Sequence, residues 1–340
     1  MNSRNLIWLA GGLVVLVVLA VIGQRQTTSP SDVAQADDEL LPGLMDVLDE
    51  VASIEVVGAG GAAIATLDRA EDGWTVRERD GYSADLTKVR HALLSLAEAR
   101  ILEAKTANPE LHDRLGVEDV VADDAGGLAV TLLGPNEPTA IIVGDEAGDY
   151  RRYVRRADEN QSYMINRDPE IGETAADWLD TNIIDLASAR VREITVTHPD
   201  GEIVRATKAS AEDANFTVEN IPEGRSLLYD SVANVIAGVL QNLTLEDVEQ
   251  DTDDGAGRTV TELVTFDGLR LTVTGLERDD AAWISITAAA EPDSQQADQA
   301  AAATEAQSLN ERLSGWRYRI PSYKFEQLTR RMDDLLQAET

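Results

Sequence analysis

The chain has 340 residues, a formal net charge of -33 and no cysteine. That balance argues against nucleic acid and against anionic lipid headgroups, both of which call for Lys and Arg. The missing cysteines exclude disulfides and thiolate chemistry, while an ordinary apolar content argues for a folded body rather than an acidic disordered one.

The first element is the apolar run Leu6 to Gly23, with no charged residue between Arg4 and Arg25. About 20 apolar residues in a helix span a bilayer core. The run predicts an uncleaved transmembrane anchor over residues 1–25. A cleaved signal is the alternative, but Leu19 to Gln24 lacks a good small-x-small cleavage site. The far flank carries Asp32, Asp37, Asp38 and Glu39 and no Lys or Arg until Arg69. By the positive-inside rule the body then faces outward, as a single-pass protein of the inner (cytoplasmic) membrane with its body in the periplasm. Residues 26–45 are polar and turn-rich and read as a linker.

Two related passages follow. The first opens with Val51 to Glu78 and the second with Val191 to Asn220. Each alternates apolar and polar residues with turns between, the pattern of half-buried antiparallel strands. Ile54 and Val56 match Ile194 and Val196, and Trp74 to Val76 match Phe216 to Val218.

A helix is expected next in each copy. Asp85 caps the first, with Leu86, Val89, Leu93, Leu96 and Ala97 on one face. Asp230 or Ser231 caps the second, with Val232, Val235, Ile236, Val239 and Leu243 on one face. Strands come after: in the first copy the segments around Leu128, Thr139, Tyr150 and Ser162, in the second those around Thr259, Leu269, Ala282 and Trp316.

Glu291 to Gln307 is rich in helix formers and predicts a solvent-exposed helix running into Ser308 to Leu313, stopped by Gly315. Both copies should close with a helix, the first ending near Asp177 to Leu179 and the second capped by Ser322. The repeat is far too long for a solenoid, so the body reads as a duplicated domain. The expected class is α+β: one transmembrane helix, then two tandem related α+β domains with mostly antiparallel sheets, over 46–180 and 188–338.

Motifs for chemistry are sparse. His91, His112 and His198 show no paired ligand spacing and read as surface or turn residues. Gly58 to Gly61 follows a strand without the helix that would bind phosphate. Asp251 to Gly257 resembles a calcium loop but misplaces its glycine, and it reads as an Asp/Gly hairpin turn, as does Asp123 to Gly127. The dense basic run Arg151 to Arg156 sends Arg152, Val154 and Arg156 one way and Arg151, Tyr153 and Arg155 the other. It reads as a charged edge strand that resists sheet-to-sheet pairing, or as a docking strip for an acidic partner or glycan. No residue is assigned as catalytic, cofactor-binding or metal-binding.

The segment Gly73 to Val120 resembles the signature of the DUF4340 family. A Trp strand (Trp74) leads to a Tyr-x-Ala-Asp helix start (Tyr82, Ala84, Asp85), an apolar helix and a Leu-Gly-Val segment (Leu115, Gly116, Val117). The strands around Val143 to Arg156 and the close Trp316 to Leu336 are similar too. The resemblance implies one membrane pass and association with an ABC-type permease or with components resembling gliding-motility auxiliary proteins. It implies a non-catalytic extracytoplasmic accessory subunit and supplies no catalytic residues. The alternatives are an envelope hydrolase or glycan-modifying enzyme using paired carboxylates, and a glycan-binding scaffold resting on Arg151 to Arg156. No small-molecule cofactor or nucleic-acid partner is expected.

Overall fold

The computed structural model describes residues 37–134, 137–252, 257–291 and 296–338. The apolar run at Leu6 to Gly23 lies outside them. Among the described residues no helix is long and apolar enough to cross a membrane. The chain divides after Asp180 into two compact units.

The first unit starts earlier than the linker reading allows. Residues 37–41 pair with the chain near Ala99 to Ile101, through Leu40 N–H to the Ala99 carbonyl at 2.8 Å and Ile101 N–H to the Asp38 carbonyl at 2.9 Å. Leu40, Leu41 and Leu44 are buried, and Leu44–Val47 forms a helical turn, α1. The apolar cluster Leu40-Leu41-x-x-Leu44 is what removes this stretch from the linker.

Nine strands follow: β1 (Ser53–Val57), β2 (Ala63–Ala70), β3 (Gly73–Val76), β4 (Tyr82–Ser83), β5 (Ile101–Ala104), β6 (Leu128–Leu133), β7 (Thr139–Glu146), β8 (Arg152–Arg156) and β9 (Ser162–Ile165). They form one antiparallel sheet in the order β4-β3-β2-β1-β6-β7-β8-β9-β5. Helix α2 (Leu86–Ala97) starts as expected: the Asp85 carboxylate accepts from Thr87 N–H at 2.8 Å. Val89, Leu93, Leu96 and Ala97 are buried, but Leu86 is 45% exposed. As the first helical residue it lies beside Gly73 at the sheet margin rather than over the core. The expected closing helix is only a 3-10 turn, Ala175–Trp178, closed by a capping box between Thr174 and Asp177.

The second unit repeats the strand order. Its sheet contains β11 (Val191–Thr197), β12 (Ile203–Thr207), β13 (Thr217–Val218), β15 (Asp247–Gln250), β16 (Thr259–Thr265), β17 (Leu269–Arg278), β18 (Ala281–Ala290) and β19 (Trp316–Ile320). The order is β13-β12-β11-β16-β17-β18-β19-β15, again antiparallel throughout. Strand for strand it matches β3-β2-β1-β6-β7-β8-β9-β5. The leading segments match too: β10 (Asn182–Ile184) pairs with β14 (Leu243–Thr244), as residues 37–41 pair near Ala99. The α+β class with antiparallel sheets is therefore the architecture of both units.

Two helices of the second unit differ from expectation. The stretch from Val232 keeps only one α-helical turn, α3 (Asn234–Ala237), and neither Asp230 nor Ser231 caps it with a side chain. Asn234 instead accepts from Phe216 N–H at 3.1 Å and donates to the Ala214 carbonyl at 2.9 Å. With Gly238 following, and β-branched Val232, Val235 and Val239 around it, the stretch has little helix propensity of its own. Val232, Ile236 and Val239 are still buried, while Val235 is half-buried.

Helix α4 (Gln296–Leu313) forms as read, and Gly315 stops it in the left-handed region at φ 84°. It is not wholly exposed, because Ala302, Ala306 and Leu313 are buried along one stripe. Asn310 clamps both backbone groups of Ala288 at 2.8 Å each. β19 pairs with β18 only at Ala282 to Ile284, so this amide satisfies a part of β18 that the shorter strand leaves open. The closing segment is two short helices, α5 (Ser322–Leu328) and α6 (Met332–Leu335). Ser322 is the first helical residue and makes no cap, because Pro321 occupies the capping position.

Candidate functional site

The family signature becomes a joint. Ala84 N–H donates to the Trp74 carbonyl at 2.8 Å, which carries the chain from β3 into the helix start. Asp85 N–H donates to the Trp178 carbonyl at 2.7 Å, and Asp180 N–H to the Ser83 carbonyl at 3.0 Å. Tyr-x-Ala-Asp thus does two local jobs: its Asp caps α2, and its backbone holds the end of the unit.

A cleft of about 180 Å³ lies at this joint, lined by Lys88, His91, Glu170, Gly172, Asp177 and Trp178. Helical spacing puts Lys88 and His91 on one side. Lys88 Nζ donates to the Asp177 carbonyl at 2.5 Å. His91 Nε2 lies 3.3 Å from the Asp168 carbonyl and 3.8 Å from Glu170 Oε2. Asp177 spends its carboxylate on Thr174, with Oδ2 accepting from the Thr174 N–H at 2.8 Å. Trp178 is 1% exposed, and its indole N–H is sealed beneath Gly172, where a Cβ would come within 2.8 Å of Nε1. The cleft therefore offers one ammonium, one imidazole and the Glu170 carboxylate beside that imidazole, and no pair of buried carboxylates. The i, i+3 spacing of Lys88 and His91 is visible in the sequence. The partner loop from Asp168 to Trp178 is not.

The Leu-Gly-Val segment covers a sheet face. Leu115, Val117 and Val120 pack on Val57, Ala129, Ile142 and Tyr153. The backbone comes so close that a Cβ at Gly144 would overlap the Leu115 carbonyl oxygen, and one at Gly127 would overlap that of Gly116. Asp123 to Gly127 is the tail of this cover rather than a hairpin turn. It is held by Gly126 N–H to Glu118 at 2.7 Å and by Gly60 N–H to the Ala122 carbonyl at 2.8 Å.

The basic run is neither an edge strand nor an open strip. β8 lies inside the sheet, between β7 and β9. Arg155 is 3% exposed; it donates to the Val117 carbonyl at 2.7 Å and the Glu159 carbonyl at 2.8 Å, and pairs with Asp119. Arg152 pairs with Asp168 at 2.8 Å, and Arg156 holds the Leu40 carbonyl at 2.8 Å and stacks on Tyr163. Arg155 thus ties the cover to the sheet, Arg156 the leading segment, and Arg152 the loop after β9.

The histidines do not converge. His112, expected at the surface or in a turn, is buried within the cover, its Nε2 2.9 Å from the Asn160 carbonyl. Burial lowers its pKa from the ordinary value. His198 is in its predicted turn and buried, 3.5 Å from the Arg330 carbonyl. Among the described residues no cluster of His, Asp or Glu is arranged to hold a metal. Residues 253–256 of the calcium-like loop lie outside the described residues. Asp251 is bound by Arg317 at 2.5 Å and approached by Arg258 at 3.8 Å, and two guanidinium groups occupy the lone pairs a cation would need.

The family model described as "Domain of unknown function (DUF4340)" matches residues 74–262, more than half of the chain, and the chain belongs to that family. The match begins at the Trp strand of the first unit and ends within β16 of the second. No curated protein and no solved structure matches.

Proposed function

We propose that this chain is a membrane-anchored, extracytoplasmic accessory subunit of an ABC-type transport complex, non-catalytic, with Leu6 to Gly23 as its anchor and its body in the periplasm. The observation that carries the non-catalytic part is how the reactive-looking side chains are spent. Arg152, Arg155, Arg156, His112 and Asp177 each hold backbone or a capping partner in place. Groups committed in this way stiffen a scaffold and are not themselves poised for proton transfer. The apolar run and the lack of Lys and Arg on its far flank support the anchoring and the orientation. Partner ectodomains, an ABC permease or a gliding-type auxiliary protein, would dock on the two sheet units.

Two measurements test this reading. Membranes washed in alkaline carbonate should retain the full chain, and release into the supernatant argues against an anchor. Affinity purification from solubilised membranes at native expression should recover an ABC permease or gliding-type auxiliary protein. Recovery of the chain as a lone monomer overturns the accessory role.

A further inference from the structure

Glu55 stands in the middle of the first sheet, on β1, and is 4% exposed. Its register partners are Thr66 on β2 and Thr131 on β6, both buried and neither a base. Its Oε2 is buried with no hydrogen-bond partner among the described residues. The matched row in the second unit places Thr195 between Arg205 and Glu262. There Arg205 pairs with Glu193 at 2.7 Å and Glu262 with Arg270 at 3.2 Å. The shared strand order therefore does not require an acid at this position.

The charged groups around Glu55 are Arg77, Asp68 and Glu78. Asp68 comes from β2, and the other two from the 3-10 turn Arg77–Arg79 that follows β3. Each already has a partner. Arg77 Nε and Nη2 donate to Asp68 at 2.9 and 2.7 Å, and Asp68 also accepts from Ser53 Oγ at 2.9 Å. Glu78 accepts from Thr66 N–H at 2.7 Å. Of these three groups Arg77 is the one cation, and it is taken by Asp68.

We propose that Glu55 is a proton-linked latch of the first unit: as a neutral acid it leaves Arg77 on Asp68, and as a carboxylate it draws Arg77 away and loosens the β2–β3 margin. The exchange moves one proton to solvent and one guanidinium between two carboxylates, and needs no other reactant. Burial is the largest influence on the carboxyl and raises its pKa, with Arg77 opposing and Asp68 and Glu78 adding to the rise. A carboxyl raised in the fold contributes stability that is fully present below its unfolded pKa and lost as pH rises through the folded one. The latch acts wherever the protein resides, so it stands or falls separately from the proposed transport role.

The test is amide exchange across a pH series on the full chain, corrected for the intrinsic rate of exchange. In the wild type, peptides covering residues 63–79 should lose protection several-fold as pH rises above the ordinary glutamate range. Peptides covering 191–207 serve as the internal control and should hold steady. Glu55→Gln should keep 63–79 protected and remove the pH dependence. Identical profiles in wild type and E55Q overturn the latch. If E55Q does not fold, the carboxyl carbon of Glu55 in the wild type decides: titration above the ordinary glutamate value supports the latch, and titration at or below it overturns it.

Discussion

The two units share a strand order and differ in what lies on it. In the first, the register column Val57–Ala129–Ile142 runs up to Arg155. In the second, the matched column is Thr197–Val260–Thr274–Ser285. The apolar column lies under the Leu115 to Val120 cover, part of a long β5–β6 connection over residues 105–127. The matched β15–β16 connection spans only residues 251–258, and the column beside it is mostly hydroxyls, half-exposed. The second unit adds its long element elsewhere: α4 enters between β18 and β19, where the first has a short hairpin. One sheet topology thus tolerates different insertions, provided each insertion brings apolar residues to an apolar column. A polar column can be left to water.

The comparison is broken most severely by a charge placed under either helical segment. Leu93→Asp and Val239→Asp each bury an unpaired carboxylate at a position 6% and 0% exposed. Each should cost ~3 kcal/mol or more and remove exchange protection from its own unit. Independent loss would sharpen the picture of two cooperative bodies. Full protection in either variant would refute the packing.

Gly144→Ala should cost about 1–3 kcal/mol, because the new methyl meets the Leu115 carbonyl and the cover must lift. Urea unfolding read through peptides 115–121 and 141–144 checks this. Asn310→Ala should cost about 1–2 kcal/mol by leaving both backbone groups of Ala288 unpaired. Its mark is faster exchange at Ala288 with the first unit unchanged.

The pH dependence of the cover has a definite sign. His112 has a lowered pKa in the fold, chiefly through burial. Its contribution is present at neutral pH and is lost as pH falls below about 6.5, where the unfolded chain takes up the proton first. Residues 109–121 should therefore lose protection in mild acid, and His112→Gln should flatten that response. The smallest effect is at Arg190, which pairs with Glu305 at 2.8 Å and with Asp267 at 2.8 Å on a part-exposed surface. Arg190→Ala should cost below ~1 kcal/mol and speed exchange only along α4 and at the β16–β17 turn that carries Asp267.

Much of the local structure was legible. Asp85 announced its helix because a carboxylate before an apolar stripe satisfies orphan N–H groups, and the helix ending before Gly315 was readable from composition. The second helix was misread because an apolar spacing of 3.6 says which side chains are buried, not whether the backbone completes its turns. Val232, Ile236 and Val239 are buried on a chain that is mostly turn. The basic run was misread for a related reason. Alternation sorts Arg152 and Arg155 onto opposite faces, but it does not say that another part of the chain covers the Arg155 face and accepts its hydrogen bonds.

What the amino-acid sequence determined by itself was the longer strands, their two-fold repetition and which side chains alternate along each, because side-chain periodicity is a local property of backbone geometry. What only the tertiary structure decided was partnership across distance. It placed β1 beside β6 and β11 beside β16, laid Leu115 to Val120 over Val57 and Ile142, and left Glu55 between threonines with Arg77 engaged by Asp68. The physical reason is that burial and pairing depend on which segments meet, and residues far apart in the chain acquire their environment only when the sheet closes around them.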